Sequence, residues 1–428
     1  MKNGVVKGLL IALGIVALLV GFTAAGNYIC NLKLRNYIHS FEPVQYGADR
    51  VVPTFKDGHY EVVSEDELDI MYITDIHMGG GLWTYKRDKK AIYEVITMMQ
   101  AEKPDIVVLG GDNTYAILTI GYNGGGTFNN KMVARTVLEI FENEQVYFTT
   151  AFGNHDAEAI DYYNRSDIAE LYMDKSYQYC FFNSEYTDAD ADTVPSVSNQ
   201  CIVVRNPEGS IEKLLFILDT NDYKKPRFIN SMTCVYDTIH EGQVKWAQDL
   251  IKEYSLKEGL PVGEYLKSLV FCHIPTGEYE CAFEDLKSGN PAQTEFIEGW
   301  WDEKMIFYGG FEENDEDPSD SDMLFEVLSG EMNSLQGIIC GHDHVNNNIV
   351  KYKGVYLCYG MSIDNIAYGN SMSNSGLQRG ATVIFLRKDG TVDIHLKNAY
   401  KDYDCNRNQY DDIYIDHAMY PDRFVTFE

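Results

Sequence analysis

Residues 69–79 read Asp69-Ile70-Met71-Tyr72-Ile73-Thr74-Asp75-Ile76-His77-Met78-Gly79. The run Asp69–Thr74 predicts a strand, with an Asp–x–His pair at its carboxyl end. Strand side chains alternate with period two, so Asp75 and His77 can turn to one face. The pattern of an apolar strand followed by a short polar signature then repeats along the chain. Gly110-Gly111-Asp112-Asn113 follows a strand at Ile106–Leu109, and Gly153-Asn154-His155-Asp156 follows one at Val146–Phe152. His273 ends the strand predicted at Ser268–His273, and Gly341-His342-Asp343-His344 follows Gly337–Cys340. Glycines before Asp112, Asn154 and His342 permit tight turns and close backbone approach.

Helical periodicity at Lys86–Ala101 and Lys131–Glu142 separates the first three strands. That β-α-β-α-β order predicts an α/β domain with helices packed on a sheet. Downstream, strands are predicted at Gln178–Phe182, Gln200–Val204 and Leu214–Leu218, and a helix at Gln243–Tyr254. Ile349–Tyr352 and Val355–Tyr359 flank Lys353-Gly354 as a hairpin, and strands at Thr382–Leu386 and Thr391–Leu396 follow. In α/β sheets ligands collect beyond the carboxyl ends of strands, which is where all five signatures lie.

The donors gathered there are carboxylates, imidazoles and one amide, with no thiolate. Such hard-to-borderline ligands suit Mn²⁺, Fe, Zn²⁺ or Mg²⁺ rather than copper or an iron–sulfur cluster. Composition agrees with a metal site. Over 428 residues, 35 Lys+Arg stand against 65 Asp+Glu, a net charge of −30. A field of that sign opposes an unassisted electrostatic grip on nucleic acid or anionic lipid, and a cation centre would invert it locally for an anionic substrate.

The residues Gly8 to Gly26 carry no charge and follow Lys2 and Lys7. As a helix they span about 28 Å, close to the thickness of a hydrocarbon core. They read as an uncleaved signal anchor, with a cleaved signal peptide as the alternative because Thr23 and Ala25 are small. Either places the bulk of the chain outside the cytoplasm. Residues 27–64 read as a polar stalk, 65–400 as the domain, and 401–428 as a Tyr-rich tail lying across its surface. Nine cysteines without CxxC spacing exclude a zinc ribbon and a dense disulfide framework. The stretch Glu312–Asp322, with seven carboxylates, lacks the spacing of a calcium loop and reads as a solvated insertion.

The order DxH…GDN…GNHD…H…GHxH, from about Leu68 to Tyr400, resembles the calcineurin-like metallophosphoesterase superfamily. Thr74–Gly79, Gly111-Asp112-Asn113, His273-Ile274-Pro275, Gly341–Asn346 and Leu357–Gly360 are similar to the single-domain phosphatases grouped with purple acid phosphatases. The resemblance implies a four-layer α/β/β/α sandwich with a two-metal site. In it Asp75, His77, Asp112 and His344 would hold one divalent ion, and Asp112, Asn154, His273 and His342 the other. His155 would face the substrate as an acid, oriented by Asp156. Purple acid phosphatases proper have glycine where His77 stands and a ligating Tyr where Tyr115 stands. Here His77 is the expected ligand and Tyr115 a packing residue. The implied reaction is hydrolysis of phosphate esters by metal-activated water, phosphomonoesters first. Phosphodiesters, lipid or sugar-nucleotide pyrophosphates, and a non-catalytic module on the same fold are the alternatives. The expected substrate is a small phosphorylated molecule or a phosphorylated lipid or protein, with Arg87 a candidate for its phosphate.

Overall fold

The chain enters through a helix longer than its apolar stretch. In the computed structural model, α1 (Lys2–Ile38) runs unbroken from the apolar segment into the domain. Residues 2–116, 126–187, 196–223, 235–302, 306–309, 323–367, 379–405 and 424–427 are described. The acidic stretch Glu312–Asp322 and most of the tail lie outside them.

Two strands follow, β1 (Thr54–Lys56) and β2 (His59–Val63), then β3 (Glu67–Ile73), α2 (Tyr85–Glu102) and β4 (Ile106–Leu109). Next come α3 (Asn130–Glu144), β5 (Phe148–Thr150), α4 (Arg165–Tyr172), β6 (Gln200–Arg205) and β7 (Ile211–Ile217). α5 (Glu241–Lys257), β8 (Lys267–Phe271), α6 (Glu278–Lys287) and β9 (Thr294–Asp302) lead to a π-helical turn at Glu326–Glu331. The chain closes with β10 (Leu335–Cys340), β11 (Asn347–Tyr352), β12 (Val355–Tyr359), β13 (Gly380–Arg387), β14 (Val392–Asn398) and β15 (Phe424–Val425).

The strands form two sheets. One has the order β14-β13-β3-β4-β5, the other β1-β2-β6-β7-β8-β10-β12-β11-β9-β15. Strands β3, β4 and β5 are parallel in the first; β7, β8, β10 and β12 are parallel in the second. Period-two alternation with apolar residues on both faces explains the layering. Ile70 and Tyr72 of β3 meet Leu269 and Phe271 of β8 and Ile339 of β10 between the sheets. Met71 and Ile73 face the α2–α3 layer, whereas Val270, Ile338 and Cys340 face α5 and α6. The result is the α/β/β/α sandwich, with both sets of parallel strands delivering their carboxyl ends to one edge. The predicted β11–β12 hairpin forms, with Lys353 and Gly354 both at positive φ as a two-residue turn requires.

Residues 27–64 do not form a stalk. Asn27, Asn31, Leu34 and Ile38 recur at helical spacing and bury one face of α1 against α2 and α3. Asn31 is polar yet fully used: its amide donates to Gly80 O and its oxygen accepts from Thr136 Oγ1. β2 then pairs parallel to β6, so the larger sheet begins before residue 65. The strand expected at Gln178–Phe182 is also absent. The Glu142 carboxylate takes the backbone N–H groups of Gln178, Tyr179 and Cys180, and only a single bridge to Phe148 remains. At the far edge β15 pairs with β9, and Phe427 packs on Trp301.

Candidate metal centre

Each strand end turns sharply at the shared edge. Asp75, His77, Asp112 and His342 all have positive φ, as does Gly111. Such backbone is costly for residues other than glycine and concentrates where side chains must be aimed. The loops are laced together as well. Asp75 N–H donates to Gly111 O, and His77 N–H to Asp112 O. Gly153 is a place where only hydrogen fits, since a Cβ there would collide with the Asp112 carboxylate.

The outcome is two buried groups of ligand-type atoms that share one residue. Asp75, His77, Asp112 and His344 form the first; Asp112, His273 and His342 form the second. Within each group the candidate donor atoms lie within 4.8 Å of one another. Asp112 Oδ2 is 3.1 Å from His77 Nε2 and 3.2 Å from His273 Nε2. His344 Nε2 lies 3.1 Å from Asp75 Oδ1. Asn154 is buried, and its amide donates to Tyr223 OH, leaving its oxygen without a hydrogen bond.

The arrangement fits a pair of divalent cations. Asn154 Oδ1 is buried and makes no hydrogen bond, while Asp75 Oδ1 and His273 Nε2, also buried, lie 3.1 and 3.2 Å from other ligand-type atoms, on His344 and Asp112. An orphan buried polar atom normally costs about 1–3 kcal/mol, and one standing next to the residue that binds Asp112 calls for a partner such as an ion. The imidazoles are held from behind. Asp364 approaches His344 Nδ1 at 3.0 Å and His77 Nδ1 at 3.4 Å, and His273 Nδ1 meets Gly110 O at 2.8 Å. Carboxylates and carbonyls behind ligating histidines fix tautomer and ring orientation.

Electrostatics follow from the pairing. Burial opposes charge on His77, but hydrogen bonds to Asp112 and Asp364 push its pKa up to about 9. His273 also reaches about 9, with burial outweighed by the Asp112 carboxylate. Asp75 and Asp364 bring His344 to about 10 against burial. His342 goes the other way, far below its ordinary value, through burial and the neighbouring charge of His273. Despite burial, Asp112 and Asp364 are held well below the usual carboxylate range by these imidazoles.

His155 takes a different position. Its backbone N–H donates to Asp112 Oδ1 at 2.7 Å, and its ring lies 5.4 Å from that of His77. The expected orienting role of Asp156 is not what the fold builds. Asp156 turns inward and accepts from the N–H groups of Gly153 and Thr114, tying the β5 loop to the β4 loop. Glu158 instead meets His155 Nδ1, because a turn through residues 154–157 brings i and i+3 together. Tyr115 packs edge-on against His77 and His155, with ring centroids 5.1 and 4.9 Å away. Arg87 is half-buried in the first turn of α2 beside Asp88 and belongs to neither ligand group. Asp364 carries no sequence motif, although it too follows a strand, five residues beyond the end of β12. Tyr236 likewise carries no motif, yet its ring stands edge-on to His342 at 4.3 Å.

Comparison with known proteins adds to this geometry. Residues 68–346 match the model of the calcineurin-like phosphoesterase family. Two Arabidopsis thaliana proteins are similar over most of their length. "Probable inactive purple acid phosphatase 29" is 23% identical over 364 residues, 78% of this chain and 79% of the relative. "Probable inactive purple acid phosphatase 28" is 25% identical over 325 residues, covering 70% of this chain and 71% of the relative. Among solved structures, a purple acid phosphatase from yellow lupin (Lupinus luteus) seeds aligns over 80% of this chain and 54% of its own. The TM-score is 0.37 and the identity 12%. A family match spanning more than half of the chain, and covering the strand ends from which the ligand-type side chains converge, makes this protein a member of the calcineurin-like phosphoesterase family.

Proposed function

We propose that the chain is a metal-dependent phosphohydrolase acting on phosphate esters, with phosphomonoesters as its first substrate class. The observation that carries this reading is Asp112, common to both ligand groups and gripped by the His155 N–H. Asp75, His77, Asp112 and His344 would hold one ion, and Asp112, Asn154, His273 and His342 the other. Two divalent ions so placed supply Lewis acidity and an activated water near neutral pH.

The protein's own groups do the rest. The buried carboxylates and imidazoles keep the donor atoms preorganised, so little rearrangement accompanies loading. His155, held by Glu158, donates a proton to a phosphoryl oxygen or to the leaving alcohol. Asp156 fixes the loop that carries His155. No serine or cysteine nucleophile is required. The plant relatives are named as inactive; here every ligand position is filled by a ligand-type side chain and His155 is in place, which supports turnover. The N-terminal helix serves as an uncleaved anchor, a reading supported by its unbroken passage into the domain, and we infer that the domain lies outside the cytoplasm.

The test is hydrolysis of para-nitrophenyl phosphate beside bis-para-nitrophenyl phosphate by protein stripped of metal and reloaded with Mn²⁺, Zn²⁺, Fe or Mg²⁺. Metal-dependent turnover, lost in Asp112→Ala and reduced about 10²–10⁴-fold in His155→Ala, supports the reading. Protein that binds no metal and turns over neither ester is a non-catalytic module.

A further inference from the structure

The contacts of α1 give it a direction. Asn31 meets Thr136 and Arg35 pairs with Glu139, and His39, one residue past α1, reaches Asn143, so the contacts move forward along both α1 and α3. The same holds against α2. Leu82 N–H, just before α2, donates to Asn27, the Lys89 ammonium lies over the Tyr37 ring, and Gln100 donates to Glu42 O in the segment that follows α1. α1 therefore runs parallel to both helices, and the residues before Asn27 project beyond their amino-terminal ends. Those ends belong to the metal edge. α2 begins just after the loop that carries His77, and Asn130, the first residue of α3, donates to Asp156 O.

From Gly8 to Gly26 the projecting part of α1 carries no charge, and its large apolar side chains from Leu9 to Phe22 are exposed, which is the composition of a membrane-spanning helix. Where it leaves the domain, Gly26 faces the Leu82 side chain, so the loop following His77 lies at the level where the span ends. Trp83 of that loop is 68% exposed. Ile160 and Tyr162, on the loop that follows His155, are exposed as well, and Tyr162 is fastened to Phe128 just before α3. Aromatic residues with one wet and one apolar side favour the membrane–water interface.

We propose that the metal edge faces the bilayer into which α1 inserts, with Trp83 in its interface, and that the substrate is a phosphate monoester at the head of a membrane lipid. The substrate half of this inference rests on the phosphohydrolase reading; the orientation does not. The unbroken helix holds the site at a fixed height over the lipid surface, so a lipid phosphate reaches it by lateral diffusion.

The test uses the full metal-loaded chain in phosphatidylcholine vesicles containing phosphatidic acid, with para-nitrophenyl phosphate supplied in the water. A second form carries a flexible ten-residue Gly/Ser insert between Gly26 and Asn27, which frees the domain to move about 17 Å from the surface. Both forms should hydrolyse the aryl phosphate equally, while phosphatidate turnover relative to it falls roughly tenfold with the insert. Phosphatidylcholine brominated near the headgroup should quench the fluorescence that the unmodified chain has and Trp83→Phe lacks. An unquenched Trp83 overturns the orientation. Aryl phosphate turnover without phosphatidate turnover, or an unchanged ratio, overturns the lipid substrate and points to a soluble or protein-borne phosphate. A quenched Trp83 with neither ester hydrolysed overturns the phosphohydrolase reading and leaves the orientation standing.

Discussion

The Glu158 carboxylate stands 2.5 Å from His155 Nδ1, while Asp156, adjacent in sequence, points away into backbone amides. The two acids should therefore fail differently. Glu158→Gln should lower kcat, by less than the roughly 10²–10⁴-fold expected for His155→Ala, because the imidazole is retained but loosely aimed. Its metal affinity should not change. Asp156→Asn should weaken metal binding and lower the melting temperature, since the loop bearing Asn154 loses its tie to the β4 loop. Steady-state kinetics beside metal titration separates the two, and equal metal loss in both variants would refute the assignment.

Asp364 spans His77 and His344 without joining either ligand group. It also accepts the N–H groups of Ile366 and Ala367, so its own position is fixed. Asp364→Asn keeps the shape and removes the charge behind both imidazoles. Metal affinity should fall about 10–100-fold, with activity recovered at saturating metal. Competition with a chromophoric chelator measures this directly.

Protons and metal ions compete for the same atoms at this edge. With pKa values raised to about 9, 9 and 10, His77, His273 and His344 carry protons at neutral pH when metal is removed. Loading should release protons, and apparent affinity should climb as pH rises toward 9. The stability of metal-free protein runs oppositely. A raised histidine pKa stabilises fully below about 6.5, and that contribution is lost as pH rises through 9 to 10. Calorimetric titration in two buffers of different ionisation enthalpy reads the protons, and heats that agree between them would contradict the scheme.

Asp88 offers a second pH signature. It is buried, accepts from Gly79 N–H, Gly80 N–H and Thr84 Oγ1, and burial pushes its pKa up to about 7 in spite of those bonds. The folded chain then binds more protons than the unfolded one between about pH 4 and pH 7, so this group's contribution falls as pH rises through that window. The stability advantage of the native protein over Asp88→Asn should be largest near pH 4 and shrink toward pH 7, by roughly 4 kcal/mol at most. Urea unfolding of both proteins across that range provides the comparison.

Strand positions were legible because their apolar period is local. β3, β4, β5, β8, β10 and β12 appear within a residue or two of their expected bounds. The residues that would hold metal were legible for the same reason: each directly follows one of those strands, and the fold only has to bring the strand ends together. α6 and β9 have no such local period, since Glu278–Lys287 and Thr294–Asp302 mix charges with apolar residues and owe their form to packing on the larger sheet.

The sequence by itself determined the α/β layers, the edge at which the polar signatures meet and the ligand types available to a metal, since all three rest on local period and side-chain chemistry. Tertiary structure alone decided that Glu158 and not Asp156 holds His155, that Asp364 backs two imidazoles, and that α1 runs on into the domain with Asn27 and Asn31 gripping the loop beyond His77. Each of these depends on where a turn or a helix face points a side chain. That direction comes from contacts between segments far apart in the chain, and no short stretch of residues encodes it.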